Sequence, residues 1–64
     1  MDKTLEVLLK QVREKRSQIV DAVATNAAKD FPEYQKLCGE IRGLSFAEGF
    51  ILDLAKLLER EDDE

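Results

Sequence analysis

The chain of 64 residues has no histidine and no tryptophan, and it contains only one cysteine and one proline. Because Cys38 has no second cysteine to pair with, a disulfide within the chain is excluded. A structural zinc site is disfavoured as well, since such sites need clusters of cysteine and histidine ligands. A core of this size is marginal, so we expect oligomerisation or docking on a larger partner to add stability.

The missing histidine also argues against an enzyme. General acid, base and nucleophilic catalysis usually need a histidine or a buried carboxylate in a cleft, which a chain this short cannot enclose alone. Cys38 is the only candidate nucleophile, and its apolar neighbours indicate a small core residue. No phosphate-binding glycine loop is present. We therefore predict a protein that is not an enzyme and that uses no cofactor, metal or small-molecule substrate.

No segment approaches the run of about 20 apolar residues that crosses a bilayer, so we expect no membrane contact. The single cysteine and the lack of an apolar leader segment fit a reducing cytoplasm. The net charge is -4, with an excess of basic residues before residue 30 and of acidic residues after it. Complementary halves favour antiparallel packing within the chain or pairing between subunits.

Apolar residues recur at helical spacing from Thr4 onward, with charged residues on the other face. This pattern predicts a first helix over about residues 4–28, capped by Asp2 or Thr4. Asp30 and Glu33 match a capping box around Pro32, so a second helix should begin at about residue 32. It should run to about residue 60 and fray in the acidic tail, residues 61–64.

The second helix carries an apolar rhythm of alternating four-residue and three-residue steps that Glu48 interrupts. Gly43 followed by Ser45 and Glu48 also reads as a helix stop and a new capping box, which would divide this helix. Since the apolar spacing keeps its phase through Gly43, we favour one continuous helix. Its three glycines then indicate close helix approach or local bending.

Together these patterns predict an all-α fold in which residues 1–64 form a single antiparallel two-helix hairpin. The apolar rows that should face each other supply the predicted hairpin core: Leu5, Leu8, Val12, Ile19, Val23, Leu37, Ile41, Leu44, Ile51 and Leu58.

A second apolar stripe runs along the C-terminal half of the second helix, formed by Phe46, Phe50, Leu54 and Leu57. One neighbouring helix cannot cover both stripes. Either the second stripe completes the hairpin core, or it contacts another subunit or a partner protein, and we favour the interface.

The first helix also carries a basic cluster that includes Arg13 and Arg16. Glu14 interrupts this cluster, the total charge is acidic, and no aromatic residue lies beside it for base stacking. A solvated face or ion pairs between subunits explain the cluster better than nucleic acid. Contact of Arg13 and Arg16 with an acidic partner, or with DNA in a larger assembly, is kept as an alternative.

A resemblance to known proteins lies in three parts of the sequence: the run Tyr34-Gln35-Lys36-Leu37-Cys38-Gly39-Glu40-Ile41-Arg42-Gly43-Leu44, the apolar helix that follows it, and the ending Leu58-Glu59-Arg60-Glu61-Asp62-Asp63-Glu64. The sequence resembles small proteins of tailed bacteriophages, in particular short-tailed ones. The resemblance covers most of the chain and includes no catalytic motif. It implies a structural component of the virion near the portal, tail or capsid, and a location in the virion and the host cytoplasm.

The leading hypothesis is therefore a structural or assembly protein that docks through the second helix onto itself or onto a larger phage assembly. One alternative is a small phage regulator that binds and redirects a host enzyme, such as a polymerase or nuclease, through the same stripe or the acidic tail. A third hypothesis is a DNA-associated helical dimer, whose affinity should fall steeply with salt.

Overall fold

The computed structural model describes the backbone of residues 1–62 and the side chains of residues 1–60. Two helices, α1 (Lys3–Ala24) and α2 (Phe31–Asp62), pack against each other, and no strand forms within the described range. The Met1 amino nitrogen lies 3.9 Å from the Glu59 carboxylate, so the open ends of the helices are adjacent. The predicted all-α antiparallel hairpin is confirmed.

Both ends of α1 are fixed by local hydrogen bonds. Asp2 caps the start, its Oδ1 accepting from the backbone N–H groups of Thr4 (2.8 Å) and Leu5 (3.2 Å). The end comes four residues before the predicted residue 28. There Asn26 adopts a left-handed φ of 58°, and the Ala27 N–H donates to the Ala22 carbonyl at 2.9 Å. Asparagine tolerates this conformation, and the bonding pattern is a helix stop known as the Schellman motif.

The predicted capping box at the start of α2 forms with one change, since Glu33 accepts from the N–H of Lys29 and not from that of Asp30. Asp30 Oδ1 accepts from the Glu33 N–H at 2.9 Å, and Glu33 Oε2 accepts from the Lys29 N–H at 2.9 Å. The helix then passes through Gly43 without a break, which confirms the continuous helix over the divided one. It ends at Asp62, two residues beyond the predicted end. The remainder of the predicted acidic tail, residues 63–64, lies outside the described residues.

Among the described side chains, the buried core consists of Leu9, Ile19, Ile51 and Ala55. Ile19 and Ile51 were predicted there. The half-buried residues of the predicted core flank them along the seam between the helices: Leu5, Val12, Val23, Leu37, Ile41 and Leu44.

Two predicted core residues are corrected by the structure. Leu8 is 43% exposed whereas Leu9 is 6% exposed, and Leu58 is 37% exposed. Adjacent residues of a helix point about 100° apart, so turning Leu9 into the seam turns Leu8 out of it. Arg13 lies four residues after Leu9, on the same edge of α1. The rotation that directs Arg13 toward α2 therefore also buries Leu9.

The expectation of close helix approach at the glycines is wrong within this chain. A Cβ atom added at Gly39, Gly43 or Gly49 would meet nothing within 4 Å. The hairpin is also thin, with principal extents of 53 × 16 × 12 Å and a radius of gyration of 15.1 Å. A compact domain of this length would have a radius of gyration of roughly 11 Å. The hairpin is thus a single layer of two helices.

Replacing Leu9 with alanine should lower the free energy of unfolding by about 2–3 kcal/mol, because it removes buried contacts and leaves a cavity. Leu8→Ala is the matched control, since it changes helix propensity equally at an exposed neighbour, and it should cost less than about 1 kcal/mol. Urea denaturation followed by circular dichroism, at equal chain concentration, measures both. Equal losses for the two variants would contradict the orientation of α1.

Candidate functional site

The second apolar stripe lies at the surface of the hairpin. Phe46 is 60% exposed, Phe50 71%, Leu54 44% and Leu57 51%. Steps of four, four and three residues place these side chains along one side of α2, which we call the apolar face. They are not part of the hairpin core in this structure, and their role as an interface stays a prediction.

The apolar face continues toward the start of α2 through small residues. Gly43 lies three residues before Phe46 and seven before Phe50, and Gly39 lies one turn earlier, so both belong to the same side of the helix. Of the charged residues between Phe46 and Leu57, Glu48 pairs with α1, and helical spacing directs Lys56 to another side. Asp53 lies three residues after Phe50 and four before Leu57, at the edge of the apolar face. The apolar face therefore begins with the small residues Gly39 and Gly43 and continues with large side chains from Phe46 onward.

Glu48 interrupts the apolar seam, and two arginines of α1 neutralise it there. Arg16 donates to Glu48 through both terminal guanidinium nitrogens, at 2.8 Å to Oε1 and 3.1 Å to Oε2. Arg13 donates from Nε to Oε2 at 2.6 Å. Arg16 also donates to the Ser45 hydroxyl at 3.2 Å. We call this set the polar clamp: Arg13, Arg16, Ser45 and Glu48.

The polar clamp changes the titration of its carboxylate. The hydrogen bonds from Arg16, and then those from Arg13, lower the pKa of Glu48 from 4.5 to about 2. The Glu48 side chain is 20% exposed, so water screens the pair only in part. Two-point guanidinium binding is directional, and an unpaired Glu48 in an apolar seam would be unfavourable. The clamp therefore favours one register and one rotation of α1 against α2.

Sequence reasoning identified Arg13 and Arg16 as candidates for contact with a partner, whereas the structure pairs both with Glu48 of the same chain. The signal was available, because an antiparallel hairpin that turns near residues 30–32 places Arg13 and Arg16 opposite Glu48. Lys10 of the same basic cluster lies 3.9 Å from Glu14, one turn along α1. These contacts weaken the hypothesis of a DNA-associated dimer.

Elsewhere on the described chain, the exposed rings of Phe31 and Tyr34 stack with their centroids 6.2 Å apart. An open groove of about 410 Å³ runs between the helices, lined by Lys15, Ile19, Glu40, Gly43 and Leu44. Cys38 is a half-buried free thiol.

The described side chains, those of residues 1–60, hold no group of three or more potential metal ligands. Neither described helix is long and apolar enough to cross a membrane.

Comparison of the chain with protein-family models, curated proteins and solved structures finds no match. The resemblance to small phage proteins therefore stays a prediction. The candidate functional site of this chain therefore consists of the residues of the apolar face and of the polar clamp.

The polar clamp predicts an acid-sensitive contribution to stability. Since folding lowers the pKa of Glu48 from 4.5 to about 2, this contribution should be complete above pH 4.5 and disappear as the pH falls to about 2. Glu48→Gln should lower the melting temperature most above pH 4.5, and the gap from the wild type should close toward pH 2. Thermal melts by circular dichroism measure that gap.

Glu14→Gln is the control for this titration, because Glu14 forms only an exposed ion pair with Lys10. It should leave the melting temperature nearly unchanged across the same pH range. A gap between wild type and Glu48→Gln that stays constant from pH 6 to pH 2 would contradict the role of the polar clamp.

Proposed function

We propose that this chain is a non-enzymatic structural or assembly protein of a tailed-phage particle, in which the hairpin docks through the apolar face. The observation that carries the proposal is the exposure of two phenylalanines and two leucines in one continuous row. Its assignment to a phage particle rests on the sequence resemblance alone.

The energetics of the apolar face support a docking role. Burying a large apolar side chain contributes roughly 1.5–3 kcal/mol, so four such residues represent a substantial driving force for association. Contiguous apolar surface is uncommon on monomers and is typical of protein contacts, in which aromatic residues often dominate the binding energy. Because Arg13 and Arg16 are paired within the chain, we assign recognition to the apolar face.

Substituting Phe50 and Leu54 together with glutamine should weaken association while leaving helicity largely intact, because both side chains lie outside the hairpin core. Val7→Gln with Val20→Gln is the matched control, since these exposed valines lie on α1. Light scattering across chain concentration gives the mass, and circular dichroism gives the helicity. Loss of helicity with retained association would refute the assignment of Phe50 and Leu54 to an interface.

Quantitative mass spectrometry of purified particles of the encoding phage tests the assignment to the virion. A structural component should be present in a fixed number of copies per particle, and the variant with Phe50→Gln and Leu54→Gln should be depleted from particles. A chain that accumulates early in infection and is absent from particles would instead support the regulator of a host enzyme.

A further inference from the structure

We infer that the apolar face is covered by a second copy of this chain, with the two α2 helices packed antiparallel about a two-fold axis. This inference rests on the proposed docking role and names its partner. Three features support it: the accessible surface area of the hairpin, the order of small and large side chains along α2, and the distribution of charge along the sequence of α2.

The surface area of the hairpin is larger than that of a compact monomer. Its accessible surface is 5131 Å², whereas a compact protein of this mass exposes roughly 4,200 Å². The excess is close to the ~800 Å² that each partner buries in a typical stable dimer. A second hairpin stacked on the first would remove about that much surface from water and convert one layer of helices into two.

The apolar face is complementary to itself when it is reversed. It carries Gly39 and Gly43 at one end and Leu54 and Leu57 at the other, with Phe46 and Phe50 between them. In an antiparallel pair, Leu54 of one copy lies over Gly43 of the other, and Leu57 lies over Gly39. Phe46 of each copy lies beside Phe50 of the other, near the two-fold axis. The space above Gly43 is open in the single chain, so a partner side chain can occupy it. This arrangement gives the glycine a packing role that α1 does not supply.

Charge selects the antiparallel direction. The last turn of α2 contains Glu59, Glu61 and Asp62 against a single base, Arg60. A parallel pair would place these acidic ends together, and like charges at close range are destabilising. Reversal instead separates the two acidic ends by nearly the length of α2. Each end then lies near the first turns of the other α2, which contain Lys36 on the same side of the helix as Leu54, together with Glu33. A two-fold antiparallel pair therefore avoids the repulsion between acidic ends.

Gly43→Leu tests this arrangement, and Gly49→Leu is its matched control. Both glycines lie inside α2 with open space around them, and leucine is the better helix former, so both variants should keep or raise helicity. Only Gly43 lies on the apolar face. Leucine there should raise the dimer dissociation constant by roughly tenfold or more through overpacking, while Gly49→Leu should leave it near the wild-type value.

Sedimentation equilibrium of the full chain measures the mass and dissociation constant of each protein. A wild-type dimer weakened only by Gly43→Leu supports the inference. A wild type that stays monomeric, forms a different oligomer, or responds equally to the two leucines would overturn it. If a monomeric chain is still found in particles and is lost from them with Phe50→Gln and Leu54→Gln, then the second copy is excluded while the docking role stands.

The direction of pairing has its own test, made in a Cys38→Ser background. Gly39→Cys and Leu57→Cys chains are mixed and oxidised, and the disulfide-linked species are identified by mass. Antiparallel pairing should favour the link between Gly39→Cys and Leu57→Cys chains. Preferential linking of two Gly39→Cys chains to each other would show a parallel pair and overturn the proposed arrangement.

Discussion

The contact of Glu48 with Arg13 and Arg16 determines how the two helices face each other. A carboxylate in an apolar seam is favourable only when its hydrogen bonds are satisfied, and here two guanidinium groups satisfy it. Because Arg13 and Arg16 lie three residues apart on α1, both reach Glu48 from one rotation of that helix. The same rotation buries Leu9, exposes Leu8, and sets α1 against only one side of α2.

That geometry explains why a chain so rich in apolar residues has so small a core. A two-helix hairpin has one seam, and the seam here buries few side chains completely. The rest of the apolar surface of α2 lies beyond the reach of α1. Stability and association are thus linked, since whatever covers the apolar face also extends the core across a second layer.

The fold was predictable from the sequence because its signals are local. Apolar spacing located both helices, and Asp30 with Glu33 marked the start of α2. The end of α1 was placed too late because alanines after Asn26 continue a helical pattern, whereas the left-handed Asn26 stops it. Whether Leu8 or Leu9 is buried depends on the rotation of α1 about its axis. Apolar spacing alone does not fix that rotation closely enough to distinguish two adjacent residues. Glu48 was recognised as a break in the apolar rhythm, but its arginine partners come from the other helix.

The glycines of α2 are the least expected feature of a helix this long. A glycine inside a helix costs about 1 kcal/mol relative to alanine, and α1 comes close to none of the three. Gly39 and Gly43 share the side of the helix that carries Phe50 and Leu54, whereas Gly49 lies elsewhere. Small residues at one end of the apolar face and leucines at the other fit together when the α2 helix of a second copy runs in the opposite direction. Packing against a two-fold partner would therefore explain why α2 contains Gly39 and Gly43, which the isolated hairpin does not explain.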